Sequence, residues 1–261
     1  MQSPENIRRN FLWTLNALLG LAFIVDLFAP DRIPWLDVAV VILASAASIV
    51  SLNRQLPLQN VLPAALITAG IGGLAHGFSA QTFIPLGPVV FNLPSGGKLF
   101  DVLPWTVPLI WVAAIFTARG VGRLILRPWR KVKVYGYWLI ALTTALAVAF
   151  DVAFEPFAWH VKHWWLWQPT KLSVNWHGAP LMNFFGWGCV TLFTMFFITP
   201  FLIRKQPGGS SSPDYHSLCL WLGALLMFAV GAGRAGLWSA VVVDVVLAGV
   251  TTFLAVRGAR W

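Results

Sequence analysis

Five acidic residues sit where acids are costly or conspicuous. Asp26, Asp151 and Asp244 lie inside long apolar runs, Glu155 follows Asp151 by four residues, and Asp101 stands at the head of another apolar run. An ionisable group within a spanning helix costs about 2.5–3.5 kcal/mol on insertion scales. Several such costs on one side of a bilayer ask for a reason. They either line a polar pocket or are offset by pairing, as Asp244 would be by Arg234 just ahead of its helix. Residues four apart share a helix face, so Asp151 and Glu155 form the candidate acid–base pair. Two carboxyl groups this close do not ionise independently. One can keep a proton at neutral pH and act as an acid.

Other chemistries find less support. His160 and His163 have a spacing that could bind a metal on a helix, but the chain has five histidines in all, too few for the repeated clusters of membrane di-iron enzymes. HExxH, a P-loop and a GxSxG elbow are all missing from the sequence. No metal or other cofactor is expected. The two cysteines, Cys189 and Cys219, fall in apolar runs and read as small hydrophobes. Six of the 15 tryptophans lie between Trp159 and Trp187, around the carboxyl pair. Some will anchor the membrane interface. The density also suits stacking on a polyene or cation–π contact with a carbocation.

The elements that must position these groups are transmembrane helices. The chain is 58% hydrophobic and only 10% charged, whereas soluble domains carry about 25% charged residues. A water-soluble fold of this length could not hide so much apolar side chain. We expect an all-α, polytopic bundle, a single integral membrane domain over residues 1–261, with the lipid bilayer as its surroundings. A span needs about 20 apolar residues. Eight segments qualify, near 11–29, 36–52, 61–78, 102–118, 135–153, 180–203, 216–232 and 237–256. Seven spans with one segment re-entrant is the rival. The first run resembles a signal peptide but contains Asp26 and lacks a cleavage site after Phe28, so it reads as a retained helix.

Eight spans put 13 of the 18 Lys and Arg residues on the side of both termini. That excess predicts an inner or plasma membrane protein with cytoplasmic termini. Residues 119–134 hold six of the 13 and read as a basic helix on an anionic lipid surface or as a plain stop-transfer loop. With its bases interleaved among apolar runs, the +9 net charge reflects topology and not nucleic acid. On the non-cytoplasmic side fall two long, ordered connections, 79–101 and 154–179. Asp26, Asp101, Asp151, Glu155, Asp244, His76 and His177 fall there too. Only Gln206–Pro213 reads as a flexible linker. The oligomeric state is not legible.

The stretches Asp151-Val-Ala-Phe-Glu155-Pro156, Trp165-Leu-Trp167 and Gly178-Ala-Pro180-Leu-Met-Asn183-Phe-Phe-Gly186-Trp187 resemble the membrane carotenoid biosynthesis proteins, which include carotenoid 1,2-hydratases. Phe100–Trp111 resembles an earlier segment of that family. The likeness covers about 60–205, with departures at Trp176-His177 and across Phe83–Asn92. It implies an apolar carotenoid substrate and water addition to the terminal C=C of an acyclic end group. Asp151 and Glu155 would be acid and base in either order, and Asn183 would orient water. Trp165, Trp167 and Trp187 would wall the cation. Trp176, His177, Asp26, Asp101, Asp244 and His76 complete the expected substrate surroundings. Gly178, Pro180 and Gly186 would shape the backbone. Alternatives are an isomerase or cyclase on the same scaffold, and a transporter or lipid-binding protein using the acids as a proton relay.

Overall fold

The computed structural model describes residues 4–28, 33, 35–92, 97–170, 174–203 and 213–261, with 4–9 and 27 described by backbone alone. Asp31, Arg32, Lys171 and nearly all of the expected linker at 206–213 lie outside the described residues. Among the described residues eight α-helices form the bundle: α1 Pro4–Phe28, α2 Leu36–Asn53, α3 Leu58–Thr82, α4 Thr106–Ile125, α5 Tyr135–Pro156, α6 Leu181–Ile198, α7 His216–Arg234 and α8 Trp238–Ala259. Seven of them, α2 to α8, are long and apolar enough to cross a membrane, and the protein is an integral membrane protein. The apolar part of α1, Asn10–Asp26, is shorter. The choice between seven and eight spans therefore turns on α1, not on a re-entrant segment.

α4 is the hub. It packs against α2, α3, α5, α7 and α8 and is 72% buried, against 22% for α8. Its bounds differ from those expected. Residues 98–104 form a hairpin of β2 Lys98–Leu99 and β3 Leu103–Pro104, so the helix starts later. It also runs on through Arg119 and Arg123. Arg119 is buried and donates to the Leu202 carbonyl at 2.9 Å, while Arg123 donates to Gln55. These bonds draw both guanidinium groups into the bundle. The basic segment is thus the end of α4 plus a short 3₁₀ turn at Arg127–Trp129, and not a surface helix.

Polar clasps close the two ends. At the terminal end Asp214 binds His216 Nδ1 at 2.6 Å and Gln55 at 3.0 Å, and pairs with Arg54 at 3.6 Å. Burial works against its charge, but the bonds from His216 and Gln55 prevail and bring its carboxyl down to about 2. At the loop end Lys162 pairs with Asp26 of α1 and, at 2.9 Å, with Asp37 of α2, which also accepts from Trp164 Nε1 at 2.9 Å. Burial disfavours the Lys162 charge, yet Asp26 and Asp37 outweigh it and hold the ammonium above its ordinary range.

The two long connections pair with each other. β1 Val89–Phe91 from the first runs antiparallel to β4 Trp165–Trp167 from the second, in the register Val89↔Trp167 and Phe91↔Trp165. A third short pair, β5 Asn175–Trp176 with β6 Ala179–Pro180, leads into α6. The tryptophan-rich connection folds back onto the bundle, where Trp164, Trp165 and Trp167 are buried.

Candidate functional site

The site is built on α5, α6 and the β1–β4 ribbon. One helical turn apart on α5, Asp151 and Glu155 are 0% and 1% exposed. Asn183, in the first turn of α6, is 0% exposed. Its Nδ2 donates to Asp151 Oδ2 at 2.6 Å and to Glu155 Oε1 at 3.2 Å, so one amide bridges both carboxyl groups. Strand residues two apart point the same way. Trp165 and Trp167 therefore both turn inward, while Leu166 faces out at 41% exposure. Their indole N–H groups donate to Glu155 Oε2 at 3.1 and 2.7 Å. These rings thus offer their N–H edges, not their faces, to the carboxyl group.

The pair is asymmetric. Glu155 receives three N–H donors. Asp151 receives one, and its Oδ1, like Asn183 Oδ1, has no hydrogen-bond partner among the described residues.

An aromatic box adjoins Trp165. His76 of α3 is 2% exposed, with Phe91, Trp111, Trp165 and Trp187 at ring distances of 5.8, 5.8, 6.2 and 6.5 Å. Trp187 stacks on Trp111 at 3.7 Å and 13°. A Cβ at Gly72 would run into the Trp111 ring, so this stack requires glycine there. Phe91 and Trp111 were not foreseen as site residues. The only hint of Trp111 was its place at the end of the Phe100–Trp111 stretch, and nothing in the local sequence links either ring to His76.

Proline explains how the rim is tied down. Pro156 has no N–H to give to the Val152 carbonyl one turn earlier. Trp176 Nε1 donates to that carbonyl instead, at 2.9 Å. The helix continues past Pro156 as a π-helical turn over Phe157–Val161, as is common where the regular ladder is broken. Trp176→Phe is expected to lower stability by about 1–3 kcal/mol, the cost of an unpaired buried polar group. Thermal unfolding in detergent reads this, and an unchanged midpoint would argue against the tie.

Beside it, His177 shares a hydrogen bond with Ser239 Oγ at 2.9 Å, and its carbonyl accepts from His160 Nε2 at 2.8 Å. Burial and the neighbouring His160 hold the His177 imidazolium below the ordinary histidine range. Gly178 takes φ +89°, and a Cβ there would strike the Trp159 ring.

The remaining expected acids stand apart from this cluster. Asp26 is held by Lys162. Asp101 is exposed on the β2–β3 hairpin. Asp244 is buried on α8, and neither of its carboxyl oxygens finds a hydrogen-bond partner among the described residues. Arg234 is exposed and lies over the Phe28 ring at 5.8 Å, so the Asp244–Arg234 pairing does not form.

Two clefts flank the carboxyl pair. One, of about 230 Å³, opens between α5 and α6 and is lined by Val152, Val174, Asn175, Trp176, Leu181 and Phe184. The other, of about 270 Å³, is bordered by Trp167, Gln168, Thr170 and Asn175 among others. Chemically, the arrangement offers two bridged carboxyl groups in an apolar, tryptophan-rich interior. It suits proton transfer to an apolar substrate.

Among known proteins, the chain matches the model of a family described as carotenoid biosynthesis protein over residues 36–254. The match runs from the start of α2 into α8, so it includes helices whose expected likeness was hydrophobicity alone. No curated protein and no solved structure matches.

Proposed function

From the premise that the chain belongs to the carotenoid biosynthesis protein family, we propose that it is a hydratase adding water to the terminal C=C of an acyclic carotenoid. The observation that carries this reading is the buried Asp151–Asn183–Glu155 bridge. Two full negative charges so close in an apolar interior would repel strongly, and one shared proton removes that cost. Glu155, with three donors aimed at it, suits the carboxylate, which only accepts. Asp151, with one oxygen unpartnered, suits the protonated partner.

Asp151 gives its proton to the less substituted alkene carbon, and the C=C electron pair forms the new C–H bond. The tertiary carbocation left behind is captured by water, which forms a C–O bond and gives up a proton to Glu155. Transfer across the pair restores the starting state. The net change is alkene plus water to tertiary alcohol. Asn183 fixes both carboxyl groups and has its own carbonyl oxygen to orient water. The cleft at Gln168, Thr170 and Asn175 suits a water supply. On this reading the loop end faces away from the cytoplasm, consistent with the excess of basic residues at the terminal end.

The test is the pigment profile of cells making lycopene, with and without the protein. The expected product is lycopene plus one water. An isomer of unchanged mass would instead mark an isomerase or cyclase. An unchanged profile together with proton-coupled uptake in proteoliposomes would mark a transporter.

A further inference from the structure

The cleft between α5 and α6 lies at the level of the carboxyl pair and on its outside. Val152 follows Asp151 on α5, and Phe184 follows Asn183 on α6, so the cleft wall and the bridge draw on neighbouring positions of the same two helices. The lining is apolar apart from Asn175 and the indole N–H of Trp176, which is already committed to the Val152 carbonyl. Leu181 at the cleft mouth is 55% exposed, and Met182 and Phe185 on the same turn are 45% and 68% exposed. Exposed leucine, methionine and phenylalanine on a spanning helix face lipid, so the α6 side of the cleft opens toward the bilayer.

Its size limits what it takes. Pockets that enclose a drug-sized ligand run to about 300–1,000 Å³, and this one is about 230 Å³. It accommodates the tip of a chain and leaves the remainder in the lipid.

We propose that this lateral cleft, walled by Val174, Trp176, Leu181 and Phe184, receives the open end of a long isoprenoid chain directly from the bilayer and delivers it to Asp151. The inference rests on the hydratase reading and deepens it. It makes Leu181 and Phe184 specificity-determining residues, selecting thin, acyclic chain ends over ring-bearing ones.

The test measures binding apart from turnover. Wild type, Leu181→Trp, Val174→Trp and, as a control on the lipid face of α8, Phe253→Trp are placed in nanodiscs with lycopene. Bound lycopene per protein is read from its visible absorbance after the amount held by protein-free nanodiscs of the same lipid is subtracted. Leu181 and Val174 are both exposed, so filling the cleft from either wall does not disturb the core. The expected result is at least a tenfold loss of bound lycopene in Leu181→Trp and Val174→Trp, with Phe253→Trp unchanged. Binding equal to wild type in both cleft variants overturns the proposal, as does absence of binding by wild type. Cleft-dependent binding without any hydrated product leaves the cleft standing and removes the hydratase reading. Hydration that is untouched in the cleft variants does the reverse.

Discussion

Asp151→Asn and Glu155→Gln are each expected to lower hydration by about 100- to 10,000-fold, the range that a positioned acid or base contributes. Both substitutions keep side-chain shape. In each the amide can still bond within the cluster, but it can neither give up nor take the proton. The two variants should fail alike, because transfer across the pair makes each group necessary to the other's next turnover. The measurement is the initial rate of hydrated product in nanodiscs. Wild-type rates in both would remove the carboxyl mechanism. Loss in one alone would reduce the pair to a single catalytic acid with a structural neighbour.

Asn183→Leu should have the next largest effect, and it should show in stability as well as in rate. The substitution removes the amide that donates to both carboxyl groups. Leaving a buried acceptor without its donor costs about 1–3 kcal/mol. Glu155 keeps its bonds from Trp165 and Trp167, so Asp151 carries most of the loss. The expected outcome is a clear fall in the thermal midpoint together with a drop in rate comparable to that of Asp151→Asn. Asn183→Asp tests the sign. A third carboxyl group at the bridge adds repulsion where the amide relieved it, so this closer mimic should be no better than leucine.

Much of this architecture was legible because it is local. Helix bounds followed apolar runs, and the Asp151–Glu155 pair followed from a spacing of four. The exceptions have physical causes. α4 runs on through Arg119 and Arg123 because carbonyl and amide groups elsewhere in the bundle satisfy them, and no local pattern reveals such partners. The β1–β4 pairing joins residues as far apart as Val89 and Trp167; alternation in three-residue strands is too brief a signal to read. The roles of the tryptophans changed for the same reason. Density in the sequence suggested ring faces lining a pocket, whereas register turns the N–H edges of Trp165 and Trp167 to Glu155. Asp26 looked equivalent to Asp151 as an acid in an apolar run. Lys162, reached only across 136 positions of chain, separates them. Asn183 rested on resemblance alone, since a single asparagine at a helix start carries no chemical signal until its partners are in view.

The central claim is that the carboxyl pair adds a proton and a water to a double bond. It is tested most directly by turnover of lycopene in nanodiscs, in deuterium oxide enriched with heavy oxygen, with product read by mass spectrometry. The account predicts one solvent deuterium on the carbon adjacent to the hydroxyl-bearing carbon and one solvent oxygen in that hydroxyl. Both labels should disappear with Asp151→Asn. A hydroxyl oxygen drawn from any source but water, or a product without deuterium at that carbon, would contradict it.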